Sequence, residues 1–212
     1  MLIDQPWGVS AFGQGTANVE PDHGVIKFAI NRVAKDPSKA LAAASEAASD
    51  TRNSLRVNGV IDEDVNSSRT KVHTAWDGHG AARKLVGHQC RIEFAARISS
   101  LASLEGCLVD LVAAGADEII SVTYDSSRRA ELRATARRDA VQLATTKAEL
   151  YAEAANVALG PVIHIEDVDP QRLNSELGHR AAMSGGGGDG ASLIPGSVEI
   201  NAAVILGFSI SR

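Results

Sequence analysis

One stretch constrains the architecture of this chain more than any other, because from Asp125 to Pro161 a single helical period runs unbroken. Apolar residues recur at Ala134, Val141, Ala144, Ala148, Tyr151 and Ala155, in steps of three, four and seven, with Leu143 and Leu150 on the flank. That spacing lines one face of an α-helix. Ser126 or Ser127 is placed to cap its start, and Gly160 followed by Pro161 is placed to stop it. Alanine dominates the stripe, so a partner can come close to the helix axis, and a sheet face is the natural partner.

The rest of the chain alternates between strand and helix periods. Trp7 to Val19 carries small and apolar residues on its odd positions, Pro21-Asp22 with Gly24 supplies a turn, and Val25 to Val33 places Ile26, Phe28 and Ile30 on one face. These two strands are expected to form a hairpin. Asp36-Pro37 opens a helix whose stripe of Leu41, Ala44, Ala48, Thr51 and Leu55 ends at Asn58-Gly59. Strands over Ser67 to Trp76 and Leu85 to Ile98 make a second hairpin across Asp77-Gly78-His79-Gly80. The latter strand sets Val86, His88, Cys90, Ile92, Phe94, Ala96 and Ile98 against Gln89, Arg91, Glu93 and Arg97.

Ser99 or Ser100 caps a helix with the stripe Leu101, Leu104, Leu108, Leu111 and Val112, closed by Gly115. Glu118 to Tyr124 is a short strand before the long helix, and Val162 to Val168 is another after it. Residues 169–194 contain the run Gly185 to Gly188 and have neither period, which predicts a flexible glycine-rich loop. Pro195-Gly196 then restarts the pattern, and Val198, Ile200, Ala202, Val204, Leu206, Phe208 and Ile210 alternate to the end. So long and one-faced a strand belongs at the centre of a sheet or against another subunit.

The order is β-β-α-β-β-α-β-α-β-β. It predicts an α+β protein of antiparallel hairpins with helices on one face, either one domain over 1–212 or two packed β-β-α sub-units. At 44% hydrophobic and 22% charged residues the composition is that of a folded globular chain. Aromatic content of 4% argues against a base-stacking surface, and a net charge of -5 provides no general attraction for nucleic acid or anionic membranes. No run approaches the ~18 apolar residues a spanning helix needs. The opening residues, with Asp4 and Pro6 and no basic start, lack the pattern of a secretion signal. A cytoplasmic location is therefore expected, with Cys90 and Cys107 as free thiols.

Candidate sites are few. Gly13-x-Gly15 lacks the third glycine and the following helix of a dinucleotide loop, so a strand bend or bulge is the expected reason for its glycines. His73, Asp77, His79 and His88 form the best metal-ligand set, provided the hairpin register brings them to one face. Cys90 is a candidate redox thiol, set on an apolar strand face that favours a buried, inert role, and Cys107 beside Leu104 and Leu108 has the same expectation. Arg128, Arg129, Arg133, Arg137 and Arg138 are the one basic cluster, interleaved with Glu131 and Asp139. A solvated or intersubunit face is expected there rather than a nucleic-acid patch.

Taken in order, Gly13, Gly15, Pro21, Asp22, the Leu55–Asp64 stretch around Gly59, Gly87 and Gly115 in Leu108–Ile120 are similar to the SIMPL domain family. Ala140, Lys147-Ala148, Leu159-Gly160 and Pro195-Gly196 before the final strand extend the likeness over nearly the whole chain. His88 stands where the family commonly has an aromatic ring, and Ala155-Asn156 where it often reads Ala-Gly. The resemblance implies an α+β protein that forms large ring-like homo-oligomers, with no established catalytic residues. Some members are associated with oxidative-stress defence, and exported relatives include periplasmic proteins and outer-membrane antigens. The expectation is thus a non-enzymatic, self-assembling protein without cofactor, whose partner is itself and not nucleic acid. The alternatives are a small redox or metal-dependent enzyme using Cys90 or His73, His79 and His88, and a nucleic-acid binder using Arg128 to Arg138.

Overall fold

The computed structural model describes residues 8–78, 83–168 and 196–211. The loop expected over 169–194, together with His79 and Pro195, lies outside the described residues. The element order is the expected one: β1 (Val9–Val19), β2 (His23–Ala34), α1 (Pro37–Val57), β3 (Val65–Asp77), β4 (Lys84–Ile98), α2 (Leu104–Ala113), β5 (Glu118–Asp125), α3 (Arg129–Ala154), β6 (Ala158–Val168) and β7 (Val198–Ser211). The strands form two antiparallel sheets, one ordered β1-β7-β6 and the other β3-β4-β2-β5. Two compact units follow, and neither is a contiguous β-β-α segment: β1, α3, β6 and β7 make one, and β2 through β5 with α1 and α2 make the other.

The first hairpin expected from the sequence is absent. β1 pairs with β7 from Val9↔Phe208 to Val19↔Val198, whereas β2 lies between β4 and β5 in the other sheet. Pro21-Asp22 is a crossing point between units, not a hairpin turn. The physical reason is in β1 itself. A Cβ on Gly13 would stand 1.9 Å from the Ala140 carbonyl oxygen, and one on Gly15 would stand 2.1 Å from that of Ala136. The glycines therefore mark the backbone of α3 lying directly on the strand. They mark no bulge, since the β1 to β7 register is continuous.

In α3 the buried positions are Ala136, Ala140, Ala144, Ala148 and Ala152, a strict four-residue stripe. Val141 and Tyr151, expected in the stripe, are exposed. Only methyl groups fit where helix and sheet backbones come this close. The helix also ends earlier than Gly160. Asn156 takes a left-handed φ of 54°, while the amides of Asn156 and Val157 bond to the carbonyls of Glu153 and Ala152, which closes the helix in a Schellman turn. Gly160 and Pro161 then lie within β6. Residue Arg128, not Ser126 or Ser127, occupies the amino-terminal cap position. β7 is central in its sheet, one of the two placements expected for it, and Ala203 and Gly207 are buried on its second face.

The other unit packs by side-chain interdigitation. Ile26, Phe28 and Ile30 of β2 and Ile92, Phe94, Ala96 and Ile98 of β4 bury against Ala40, Ala44, Ala47, Thr51 and Leu55 of α1 and Leu104, Cys107 and Leu111 of α2. Phe28 and Phe94 stack with ring centroids 5.2 Å apart. Gly59 and Gly115 follow α1 and α2 with positive φ, ending both helices where the sequence placed their stops. The β3–β4 hairpin is present as expected.

Candidate functional site

Among the described residues, titratable side chains converge at two polar clusters in the β2–β5 unit. At the junction of β2 and β5, the Asp22 amide donates to the Asp125 carbonyl at 3.1 Å and His23 is opposite Asp125. His23 is buried, and its Nδ1 lies 2.6 Å from one oxygen of the Asp22 carboxylate. The Ser126 hydroxyl donates to the other oxygen at 3.3 Å, and the Ser126 amide donates to the Asp125 side chain at 2.7 Å. Serine, histidine and aspartate thus meet, but in the wrong order for nucleophilic catalysis. The carboxylate stands between the other two, whereas activation of a serine needs the imidazole in that place. The contacts tie Asp22, just before the start of β2, to Ser126, just past the end of β5.

The second cluster occupies the face of the sheet turned away from the apolar core. Asn31 of β2 is opposite Arg91 of β4. The Arg91 guanidinium donates to Glu93 at 2.9 Å, to Glu118 at 2.6 Å and to the Asn31 side-chain oxygen at 3.3 Å, while Gln89 donates to that same oxygen at 3.1 Å. The hydrogen bond from Arg91 holds the Glu118 carboxyl below its usual range, and the same partners hold Arg91 firmly charged. Nearby, Arg32 donates to Asp117 and, at 3.0 Å, to the Gly115 carbonyl. Arg91 and Glu118 are thus held in their charged forms. A general acid or base must change protonation near its working pH, which such pairing prevents.

The residues singled out in the sequence do not assemble. Thr74, not His73, is opposite His88, so the alternation of the ladder sends the two imidazoles to opposite faces. Asp77 pairs with Lys84 at the far end, and His79 lies outside the described residues. Among the described residues no group of three or more His, Cys, Asp or Glu is placed to hold a metal ion. Cys90 and Cys107 are free and fully buried. Burial raises both thiols, Cys107 to about 11 with Asp110 adding to the effect, which opposes thiolate formation. Of the arginine cluster, Arg128 forms a fork with Glu131 at 3.0 Å and Arg137 reaches Asp167 on β6 at 2.9 Å.

The Asp22–His23–Ser126 contact was not legible in the sequence, because Ser126 is 104 residues from Asp22 and no local spacing joins them. The Arg91 network was half legible, since strand alternation already set Arg91 and Glu93 opposite the apolar face.

The class defined by these features is an α+β protein of two antiparallel sheets, one packed against α3 and the other against α1 and α2. The chain belongs to the SIMPL family, described as "Protein of unknown function (DUF541)", which matches residues 9–208. It is similar to the 26 kDa periplasmic immunogenic protein of Brucella melitensis biotype 1, at 23% identity over 79% of this chain and 69% of that protein. It is also similar to the uncharacterized protein YggE of Escherichia coli K12, at 25% identity over 79% and 71%.

The Brucella relative's name overturns the cytoplasmic location expected from the sequence and points to the periplasm. That expectation rested on two absences, of a spanning apolar run and of a signal pattern in the opening residues, which have little weight against a relative's named compartment. The reducing-compartment argument for free thiols falls with it. Both thiols are free and buried in the same core cluster, and it is burial that takes its place.

Proposed function

We propose that this chain is a non-enzymatic, self-assembling periplasmic protein that acts as a homo-oligomer. The observation that carries this reading is the end of the β3–β4 hairpin. β2 stops at Ala34, opposite His88, so among the described residues Ala75–Asp77 and Lys84–Gly87 pair only with each other. On this two-stranded ribbon Trp76 is 48%, Leu85 58% and Val86 52% exposed, and the Arg83 guanidinium sits over the Trp76 ring at 5.1 Å. A two-stranded ribbon is marginal in water, and large apolar groups concentrated on it are surface that association would cover.

A role in oxidative-stress defence follows from the family resemblance and would be exerted by the assembly rather than by thiol chemistry, since both cysteines are buried with raised pKa values. Light scattering after size exclusion, across a hundredfold dilution, tests the reading. A discrete multimer is expected. A monomer at every concentration would remove it.

A further inference from the structure

Each sheet has two edge strands, and an open edge is a row of unpaired amides and carbonyls that templates another strand unless something blunts it. Three of the four edges are blunted. On β1, Lys147 donates to the Phe12 carbonyl at 2.9 Å and its ammonium lies 5.8 Å from the Phe12 ring centre. β6 carries Pro161 and two register shifts, each with an extra residue on its own side. β5 is short and carries Ile120 as an extra residue opposite Lys27 and Phe28. Proline and bulges at an edge both work against pairing.

β3 differs. Its register shifts lie at Ser67/Arg69 and Ala75/Trp76, and between them Arg69 to Ala75 pairs without a break with Glu93 to Gly87 of β4. The segment contains no proline and no bulge, and Thr70, Val72 and Thr74 suit a strand. All its residues but Ala75 are exposed, and Arg69 and Lys71 are the charges on it. Among the described residues no backbone hydrogen bond ties its outer side to another element.

We infer that this edge pairs with the same edge of a second copy, antiparallel about a two-fold axis at Val72, and so joins two four-stranded sheets into one. The inference rests on the self-assembly reading above. What selects a second copy as the occupant is the segment's self-complementarity. With Val72 opposite Val72 of the other copy, Thr70 falls opposite Thr74, Arg69 opposite Ala75 and Lys71 opposite His73. Threonine and valine cross-strand pairs are favourable ones, and no arginine or lysine meets another directly. A one-residue slip would turn Val72 and the two threonines to the opposite face of the joined sheet.

The test uses two single variants, Thr70→Cys and Thr74→Cys, co-expressed with different tags and mildly oxidised. The proposed register brings the introduced thiol of the first variant opposite that of the second. Two copies of the same variant hold their introduced thiols four residues apart, about 13 Å, too far for a disulfide. The native cysteines are buried and do not compete. The expected result is a disulfide-linked mixed dimer at least tenfold above either variant alone. Val72→Asp, which sets two like charges on the axis, is expected to weaken association at least tenfold in dilution series.

A multimeric wild type that gives no mixed cross-link, or equal cross-linking of each variant with itself, would overturn the pairing and leave self-assembly standing. Unchanged association of Val72→Asp would do the same. A monomeric wild type would overturn both.

Discussion

The two units solve the problem of laying a helix on a sheet in opposite ways. In the β1-β7-β6 unit the helix has only methyl groups to offer, the strand below it offers glycine, and the backbones nearly touch. Its buried cluster is small: Ala11, Ala140, Ala144, Ala148, Val204, Leu206 and Phe208. In the β3-β4-β2-β5 unit the helices stand off on large side chains, with Phe28, Phe94, Ile26, Ile30 and Leu55 filling the gap. The lesson is about which changes each tolerates. A core filled by side chains is vulnerable to deletion, whereas a core made by close backbone approach is vulnerable to addition.

The sharpest break in the comparison is a deletion in the second unit. Phe28 is fully buried and stacked on Phe94, so Phe28→Ala removes both its own burial and a face of its neighbour's contact. A loss of about 3–5 kcal/mol is expected in denaturant unfolding, with faster amide exchange in β2 and β4. A loss under about 1 kcal/mol would show that this core collapses around the hole and is not tightly interlocked.

Addition is the complementary break. Gly13→Ala adds one methyl group 1.9 Å from a backbone oxygen of α3, and neither backbone can move without lifting the helix from the strand. Overpacking of this kind costs about 1–3 kcal/mol, and the upper figure is expected here, with faster exchange in α3 and β7. Gly106→Ala supplies the control in the other unit. A Cβ there meets nothing within 4 Å, and Gly106 lies inside α2, so the same added methyl is expected to stabilise by up to about 1 kcal/mol. If both variants cost the same, the close contact of α3 with β1 is not what holds the first unit together.

How much of this was legible in the sequence follows from which signals are local. The strands of β4 and β7 and the stops of α1 and α2 were readable because alternation and a left-handed glycine are properties of a few neighbouring residues. The partner of β1 was not. Gly13 and Gly15 announce a close approach without saying what approaches, and the answer, α3, lies more than a hundred residues on. Nor could periodicity tell Ala136 and Ala140 from Val141 on α3, because hydropathy favours the larger residue and the distance of closest approach favours the smaller. The metal set failed for a related reason. His73 and His88 are attractive by type, and one step of register between β3 and β4 parts them.

The smallest effect concerns how the helices of the two units are closed. α1 and α2 are followed by Gly59 and Gly115 with positive φ, but α3 is closed by Asn156 at φ 54°, a conformation that costs most L-residues about 1–2 kcal/mol and asparagine less. Asn156→Gly would therefore make the first unit resemble the second at this point, and a change between zero and about +1 kcal/mol in stability is expected. Asn156→Ala should lose about 1 kcal/mol, because alanine has neither glycine's freedom nor an amide side chain to bond locally. The pair of variants separates backbone conformation from side-chain contact. If glycine destabilises as much as alanine, the Asn156 side chain holds the end of α3 through a bond of its own. If only alanine does, the left-handed turn is the whole of its task, and the two units close their helices by the same physics with different residues.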